Sequence, residues 1–289
     1  MPEENSVNKE NKSKRTVMRS LCKSPLAMLG LFIVLLLIVC AIFADSIAPY
    51  SYSKQNLLHA FESPSSKHLF GTDEFGRDIF SRMVYGSRIS LVVGFIAVGI
   101  AILFGGLLGA VAGYYGGVLD NLIMRAMDIL LSIPSTVLAI SIAAALGPGL
   151  LNLMVAVGIS STPAYARVMR GSVLSVKGQE FVEAAKAVGS SDRRIILRHI
   201  IPNCMAPLIV QSTLGVASAI LSTAGLSFIG LGIQPPTPEW GAMLSGARAY
   251  IRDYAYMTFF PGFAIMITIL ALNFLGDGLR DALDPKLKR

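Results

Sequence analysis

The sequence is poor in the residues that carry most protein chemistry. Its 289 residues include three cysteines, three histidines and one tryptophan, and only 15% are charged. The cysteines show no spacing typical of a metal site or a disulfide framework. The histidines, His59, His68 and His199, lie outside every long apolar run. This placement argues against a membrane-embedded hydrolase, which needs a polar cluster at depth.

What the chain has in quantity is apolar sequence. Hydrophobic residues make up 53% of it and its mean hydropathy is +0.61, values outside the range of soluble domains. The formal net charge is +7, but the basic residues flank apolar runs and are not interleaved with aromatics on a soluble face. We therefore expect contact with membrane lipid and none with nucleic acid.

Six apolar runs are long enough to span a bilayer, since about 20 helical residues cross a hydrocarbon core of about 30 Å. The sequence predicts an all-α, polytopic membrane protein with six transmembrane helices. The expected order is a cytoplasmic tail (1–24), a first span (25–48), an external loop with an interfacial helix (49–88), a five-helix core (89–276) and a cytoplasmic tail (277–289). The core includes a cytoplasmic loop (170–204) and an external loop (233–256). Most of the 25 lysines and arginines then lie on the side of both termini, which the positive-inside rule places in the cytoplasm.

Two spans carry residues that predict how they pack or bend. Glycine recurs every fourth residue in the second span, so a neighbouring backbone can approach it closely. These glycines are Gly105, Gly109 and Gly113. In the third span, Pro134 is expected to introduce a kink, and Arg125 and Asp128 can pair on one helix face.

The missing charges also bear on energy coupling. The interiors of the second, fourth, fifth and sixth spans contain no Asp, Glu or His, the residues that carry the coupling ion in secondary transporters. This disfavours an ion-coupled secondary transporter, which stays the alternative class. The chain also lacks a Gly-x-x-x-x-Gly-Lys-Ser/Thr loop for nucleotide phosphates. We expect no cofactor in this chain, so any ATP drive requires separate subunits.

A charged, amphipathic stretch over residues 178–202 separates two apolar blocks. Apolar residues at i, i+3, i+4 and i+7 predict a helix with one apolar face, formed by Phe181, Ala184, Ala185 and Val188. Gly189 is expected to end this helix in the left-handed conformation. Ser190 or Ser191 can then cap a second helix.

The second helix of this stretch is also predicted to be amphipathic, with one apolar and one polar side. Ile195, Ile196 and Ile200 are expected on the apolar side and Arg194 and Arg198 on the polar side. Pro202 marks its end, because proline has no N–H to donate. From the residues alone, a basic helix lying on anionic headgroups also fits this pattern.

Glu183-Ala184-Ala185, followed by Gly189 and Ile201-Pro202, resembles the EAA loop of ATP-binding-cassette (ABC) import permeases. Ile201 replaces the usual Leu. The resemblance implies that this loop docks into a groove of an ATPase subunit. The residues it assigns to docking are Glu183, Ala184, Ala185, Gly189, Arg193, Arg194, Ile201 and Pro202.

Two external segments extend the resemblance to the C-type permease subunit of the peptide and nickel branch. The first contains Gly71, Thr72, Asp73, Gly76, Arg77, Asp78 and Arg82. From its residues, Thr72 or Asp73 is expected to cap a helix, and the segment to anchor the following span. The second contains Pro235, Pro236, Glu239 and Trp240, with Trp240 expected as an interfacial anchor.

The resemblance covers the chain from the first span onward. It implies the type I ABC importer permease fold and alternating access in the cell membrane of a prokaryote. The implied partners are a homologous permease, two ABC ATPases that bind ATP and Mg, and an extracytoplasmic substrate-binding protein. Oligopeptides or dipeptides are the expected cargo. A nickel or metal-chelate importer and a glutathione importer are the alternatives within the branch.

Overall fold

The computed structural model describes residue 21 and residues 24–283. This part of the chain is helical, with an isolated bridge between Thr72 and Asp78 in place of any sheet. The first six helices are α1 (Pro25–Ile42), α2 (Ala44–Ile47), α3 (Ile79–Tyr115), α4 (Gly117–Leu131), α5 (Ser135–Leu146) and α6 (Leu150–Val176). After these come α7 (Glu180–Ala187), α8 (Asp192–Ile195), a π turn (Ile196–Ile200), α9 (Ile201–Asn203), α10 (Met205–Phe228), α11 (Trp240–Ala247) and α12 (Tyr256–Leu283). Two short 3-10 turns cover Leu57–His59 and Arg248–Tyr250.

Four of these helices, α1, α3, α10 and α12, are long and apolar enough to cross a membrane. The bent pair of α4 and α5 gives a fifth candidate if it counts as one span. α6 has 27 residues but falls outside this set because it is less apolar than the other long helices. Each of the six predicted spans thus has a helical counterpart, although composition alone identifies four or five.

The bundle is built around the close contact of α3 with α6. A Cβ atom on Gly105 would lie 2.5 Å from the carbonyl oxygen of Thr162, and one on Gly109 would lie close to the carbonyl oxygen of Ala166. A Cβ atom on Gly113 would lie 2.8 Å from the Cβ of Val173. Only glycine permits this approach, because any side chain would meet backbone. α12 packs between α1 and α10 on the other side of the core.

The start of α3 differs from the expected arrangement. The predicted interfacial helix and second span form one continuous helix of 37 residues. Its N-cap is Asp78, which accepts a hydrogen bond from the Ser81 N–H at 2.8 Å, and not Thr72 or Asp73. Thr72 and Asp73 instead lie in the buried loop before the helix.

The third span also differs. α4 and α5 meet at an angle of 89° across residues 132–134, so Pro134 marks a break and not a modest kink. Asp128 pairs across the bundle with Arg167 at 2.8 Å, and not with its helical neighbour Arg125. The spacing of residues within one helix gives no information about a partner on another helix.

The final helix is longer than predicted. α12 continues to Leu283, so the expected tail at 277–289 begins inside a helix. The remainder of that tail, and residues 1–20 and 22–23 of the expected N-terminal tail, lie outside the described residues.

Candidate functional site

The loop between α6 and α10 forms a helix, a glycine turn and a second helix, as its sequence predicts. Gly189 has φ +76°, in the left-handed region that favours glycine. The Gly189 N–H donates to the Lys186 carbonyl at 2.9 Å and the Ser190 N–H to the Ala185 carbonyl at 3.0 Å, which closes α7. Ser191 occupies the N-cap position of α8, but its side chain makes no capping hydrogen bond. We call residues 178–203 the coupling loop.

The buried side of α7 is not the predicted one. Val182 and Ala185 face the protein, whereas Phe181 is 37% exposed and Val188 is 81% exposed. Of the four residues on the predicted apolar face, only Ala185 is buried, so the predicted face of this two-turn helix was wrong. Apolar surface left over on α7 faces away from the chain.

The second half of the coupling loop follows the prediction closely. Ile195, Ile196 and Ile200 are buried and form its inner side. Pro202 does not end the helical path, although the sequence predicted that it would. A π turn precedes it, in which the Ile201 N–H donates to the Ile196 carbonyl. The path then continues through α9 to a turn at Cys204.

The residues assigned to docking divide into an exposed majority and an inner minority. Ala185 is buried and Ile201 is half-buried. The others are exposed, namely Glu183, Ala184, Gly189, Arg193, Arg194 and Pro202. The outer face of the loop thus combines small and apolar side chains with two arginines, a composition suited to a protein interface.

Tyr114, near the end of α3, joins both halves of the coupling loop. Its hydroxyl donates to the Asp192 carboxylate at 2.6 Å, and the Lys186 ammonium lies 5.4 Å from its ring centroid. Sequence reasoning missed Tyr114, because the pairing joins residues 78 positions apart. The contact links the loop to the second membrane helix.

Ion pairs fix α6 at the same end of the bundle. Arg170 bonds both oxygens of Asp120 at 2.6 Å, and Lys177 donates to the Gly113 carbonyl at 3.0 Å. A bidentate arginine pair holds a defined geometry. The coupling loop therefore continues from a helix whose end is attached to α3 and α4.

At the opposite end, the segment over residues 49–78 folds into a compact structure. We call it, together with residues 233–256, the external cap, after the side of the membrane that the sequence predicts for it. All seven motif residues predicted there are buried: Gly71, Thr72, Asp73, Gly76, Arg77, Asp78 and Arg82. Asp73 is central, because it accepts from the Arg77 Nε at 2.6 Å and lies 3.6 Å from the Arg82 Nε. Burial raises the pKa of the neighbouring Glu74 carboxyl.

The second carboxylate of the external cap, Asp78, has several donors. It accepts from His68 at 2.8 Å and from the Ser81 hydroxyl at 2.8 Å, in addition to the helix N–H. Thr72 donates to the His59 carbonyl at 2.6 Å and accepts from the Glu62 N–H. A hydrogen bond to His59 lowers the pKa of Glu62. The buried polar groups are thus paired within the cap, as burial requires.

Trp240 is not the interfacial anchor that was expected. Its side chain is 1% exposed and its indole N–H donates to the Met83 carbonyl at 3.1 Å. Glu239 is also buried and caps α11 by accepting from the N–H groups of Gly241 and Ala242, both at 2.8 Å. Pro235 and Pro236 are exposed and joined by a cis peptide bond. This loop closes the cap against α3.

Within the described part of the chain, no group of three or more His, Cys, Asp or Glu side chains is arranged to hold a metal ion. The carboxylates at both ends are instead engaged by arginines, histidines and backbone N–H groups. At the coupling-loop end, the pairs Arg170–Asp120 and Arg167–Asp128 join α6 to α4.

A helical bundle with apolar spans and an exposed helical loop after its fourth predicted span defines a polytopic membrane permease. The family described as the inner membrane component of binding-protein-dependent transport systems matches residues 105–289, and the N-terminal transmembrane domain of oligopeptide transport permease C matches residues 14–64. The chain belongs to this family of ABC importer permeases and is a multi-pass inner membrane protein.

Curated relatives align over most of the chain. The dipeptide transport system permease protein DppC of Alkalihalophilus pseudofirmus is 51% identical over 95% of this chain and 90% of its own length. The di/tripeptide permease DppC of Pseudomonas aeruginosa is 47% identical over 91% of this chain and 88% of its own length. The glutathione permease GsiD of Escherichia coli is 49% identical over 91% and 87%.

A solved structure shows the same fold. A chain of the MetNI methionine ABC transporter in an inward-facing conformation superposes with a TM-score of 0.56 at 18% identity. The match covers 70% of this chain and 96% of the other. It establishes the ABC importer permease fold.

Proposed function

We propose that this permease moves oligopeptides or dipeptides inward, together with a homologous permease, two ABC ATPases and an extracytoplasmic substrate-binding protein. The ATPases bind ATP and Mg, and the coupling loop docks into them. The observation that carries the proposal is the exposed outer face of the coupling loop, on which Val188 is 81% exposed and Arg193 and Arg194 are also exposed. Apolar surface of this kind is stable in a complex in which another protein covers it.

The inner face of the coupling loop supports transmission of movement. Ile195 and Ile200 are buried in the core, and Tyr114 holds both halves of the loop to α3. A displacement of the loop by an ATPase would therefore move with α3 and α6. Such rigid-body movement is a common way to couple two sites.

Peptide cargo is supported by the names of the relatives and by the chemistry of α10. Its hydroxyls include Ser212, Thr213 and Ser218, each bonded to a carbonyl one turn earlier. Ser218 is exposed. A surface of hydroxyls without fixed charge suits cargo recognised through its backbone. Glutathione, itself a peptide, is the second candidate because of the GsiD relative.

The proposed orientation places the coupling loop and both termini in the cytoplasm. The tail over residues 1–24 and the loop over 170–204 are rich in lysine and arginine, which the positive-inside rule assigns to that side. The external cap then faces the compartment from which cargo arrives.

The test is to extract the tagged chain in mild detergent and to identify by mass spectrometry what accompanies it. We expect a second permease and ATPases that contain a phosphate loop. Recovery of this chain alone would contradict the proposal and favour an ion-coupled secondary transporter.

Gly189 supplies a matched pair of variants for the same experiment. Among the described residues, no atom lies within 4 Å of the position that a Cβ would take, so a substitution acts through the positive φ and the docking surface. Gly189→Arg should stay in the membrane and lose the ATPases or their substrate-stimulated activity. Gly189→Asn should retain both, because asparagine tolerates the left-handed conformation. Normal substrate-stimulated hydrolysis in Gly189→Arg would exclude this loop as the coupling element.

A further inference from the structure

The external cap presents a pair of leucines to solvent. Leu57 is 70% exposed and Leu58 is 94% exposed, the highest value of any large apolar side chain among the described residues. Both lie in the 3-10 turn Leu57–His59, which we call the leucine tip. Single exposed leucines are ordinary, but two adjacent ones on one short turn form a candidate contact surface.

The leucine tip is held rigidly on both sides. The Asn56 N–H donates to the Phe75 carbonyl at 3.0 Å, and Thr72 donates to the His59 carbonyl at 2.6 Å. Phe61 has φ +58°, a backbone conformation uncommon for a bulky residue. Its ring stacks on Tyr254 at 4.5 Å between centroids, which attaches it to the other external loop. A surface fixed in this way loses little conformational entropy when it binds.

The height of the leucine tip argues against lipid as its contact. α3 has no charged residue after Arg88, so its hydrocarbon-crossing part begins there. The nine helical steps from Ile79 to Arg88 rise about 14 Å at 1.5 Å each, whereas the headgroup layer adds only about 5–8 Å on each side. The Tyr50 N–H donates to the Ser81 hydroxyl, so the segment before the tip lies beside the first turn of α3. The Asn56 N–H donates to the carbonyl of Phe75, which precedes the start of α3, so the tip lies beyond the helix start. With α3 along the membrane normal, this geometry places the tip in the aqueous phase.

A basic cleft adjoins the leucine tip. Its volume is about 170 Å³, and its lining includes Lys54, Lys67, His59, His68 and Asp78. Asp78 is buried and already bonded to His68 and Ser81, and the nearby Glu62 is bonded to His59. Neither lysine forms an ion pair with any residue that the structure describes. The two lysines are thus exposed on the rim without a salt bridge to any described residue, and Glu62 is the carboxylate whose charge Lys67 senses.

We propose that the leucine tip and the lysine-rimmed cleft are a docking surface for an acidic face of the extracytoplasmic substrate-binding protein. This rests on the proposed function, which supplies such a partner on this side of the membrane. Apolar contact at the tip gives affinity, and the lysines select and orient an acidic surface. The tip's height above the bilayer and its rigid attachment fit a soluble partner that arrives from the aqueous side.

The test uses the intact importer in cells. Leu58 is replaced by photoreactive p-benzoylphenylalanine, the cells are irradiated, and adducts are identified by mass spectrometry. The matched control carries the same residue at Phe32, which is exposed on the apolar helix α1. We expect an adduct between position 58 and a substrate-binding protein, and none from position 32. The adduct yield should fall about tenfold in a Lys54→Glu/Lys67→Glu background.

Several outcomes would overturn this proposal. They are adducts from position 58 to the homologous permease or to lipid, no adduct above the Phe32 control, or a yield that charge reversal leaves unchanged. The charge-reversed variant should keep its basal ATP hydrolysis, since Lys54 and Lys67 are exposed and lie far from the coupling loop in sequence. If ATPases co-purify but position 58 reacts with another partner, only the docking surface fails. Failure to recover ATPases would refute the proposed function itself.

Discussion

The external cap and the coupling loop differ in where they place their charged side chains. In the cap, Asp73, Arg77 and Asp78 are buried, and their partners all come from the same chain. In the coupling loop, the arginines are exposed and Val188 is 81% exposed. Buried charges require partners within the fold, whereas an exposed apolar face can be covered by a second protein. The buried charges of the cap are therefore satisfied within one chain, whereas the exposed face of the coupling loop is the one we propose as half of an interface.

The largest expected effect is in the external cap. Asp73→Ala would leave Arg77 and Arg82 buried without their shared carboxylate, which should cost about 3–5 kcal/mol in the free energy of unfolding. Thermal unfolding in detergent would measure it. Asp45→Ala is the control, since the Asp45–Arg88 pair is exposed, is screened by solvent and should contribute little to stability. Equal losses in the two variants would mean that the Asp73 pairing does not stabilise the cap.

The next largest effect is expected where α3, which begins at the external cap, packs against α6, which leads into the coupling loop. Gly109→Val would force a side chain against Ala166 and Met169 of α6, which should cost about 1–3 kcal/mol or more. Gly106→Val is a matched control on the same helix, because no described atom lies within 4 Å of its Cβ position. Unfolding midpoints of the two variants should separate clearly. Similar midpoints would contradict the packing of α3 on α6.

A smaller effect is expected where the coupling loop meets α3. Tyr114→Phe removes the hydroxyl that donates to Asp192 and keeps the ring beneath Lys186. We expect a loss of about 1 kcal/mol in stability and a measurable fall in substrate-stimulated ATP hydrolysis. Unchanged stimulation, measured in proteoliposomes, would show that this hydrogen bond does not transmit movement.

The smallest effect on stability should come from the exposed side of the coupling loop. Val188→Asp should change the free energy of unfolding by no more than about 0.5 kcal/mol, as for other surface positions. Recovery of the ATPases with the tagged chain should nevertheless fall sharply, because a charge would enter an apolar contact. A destabilised chain, or full ATPase recovery, would show that the loop is not the open half of an interface.

Local patterns predicted much of the coupling loop. The left-handed turn at Gly189 and the inner side formed by Ile195 and Ile200 followed from glycine chemistry and helical spacing. The inward face of α7 did not, since the sequence favoured Phe181 and Val188 over Val182. In a helix of two turns, several faces are equally apolar, and the neighbouring helices decide which one is covered.

Contacts between residues far apart in the chain could not be predicted from the sequence for a related reason. Asp128 bonds Arg167 on another helix, 39 positions away, in preference to Arg125. Trp240 is buried against Met83, 157 positions away. A side chain such as tryptophan suits both a membrane interface and a core, so its composition does not select between them.

The sequence by itself determined that this chain crosses a membrane, because runs of about 20 apolar residues are stable only there. It also determined where glycine must lie in the α3–α6 contact and in the Gly189 turn. Only the tertiary structure decided that α3 runs unbroken from Ile79 to Tyr115, that α4 and α5 meet at 89°, and that Leu57 and Leu58 are both exposed on one short turn. These features depend on which residues, distant in the sequence, pair with buried charges and with unpaired backbone groups. Packing of the helices against one another determines those partners.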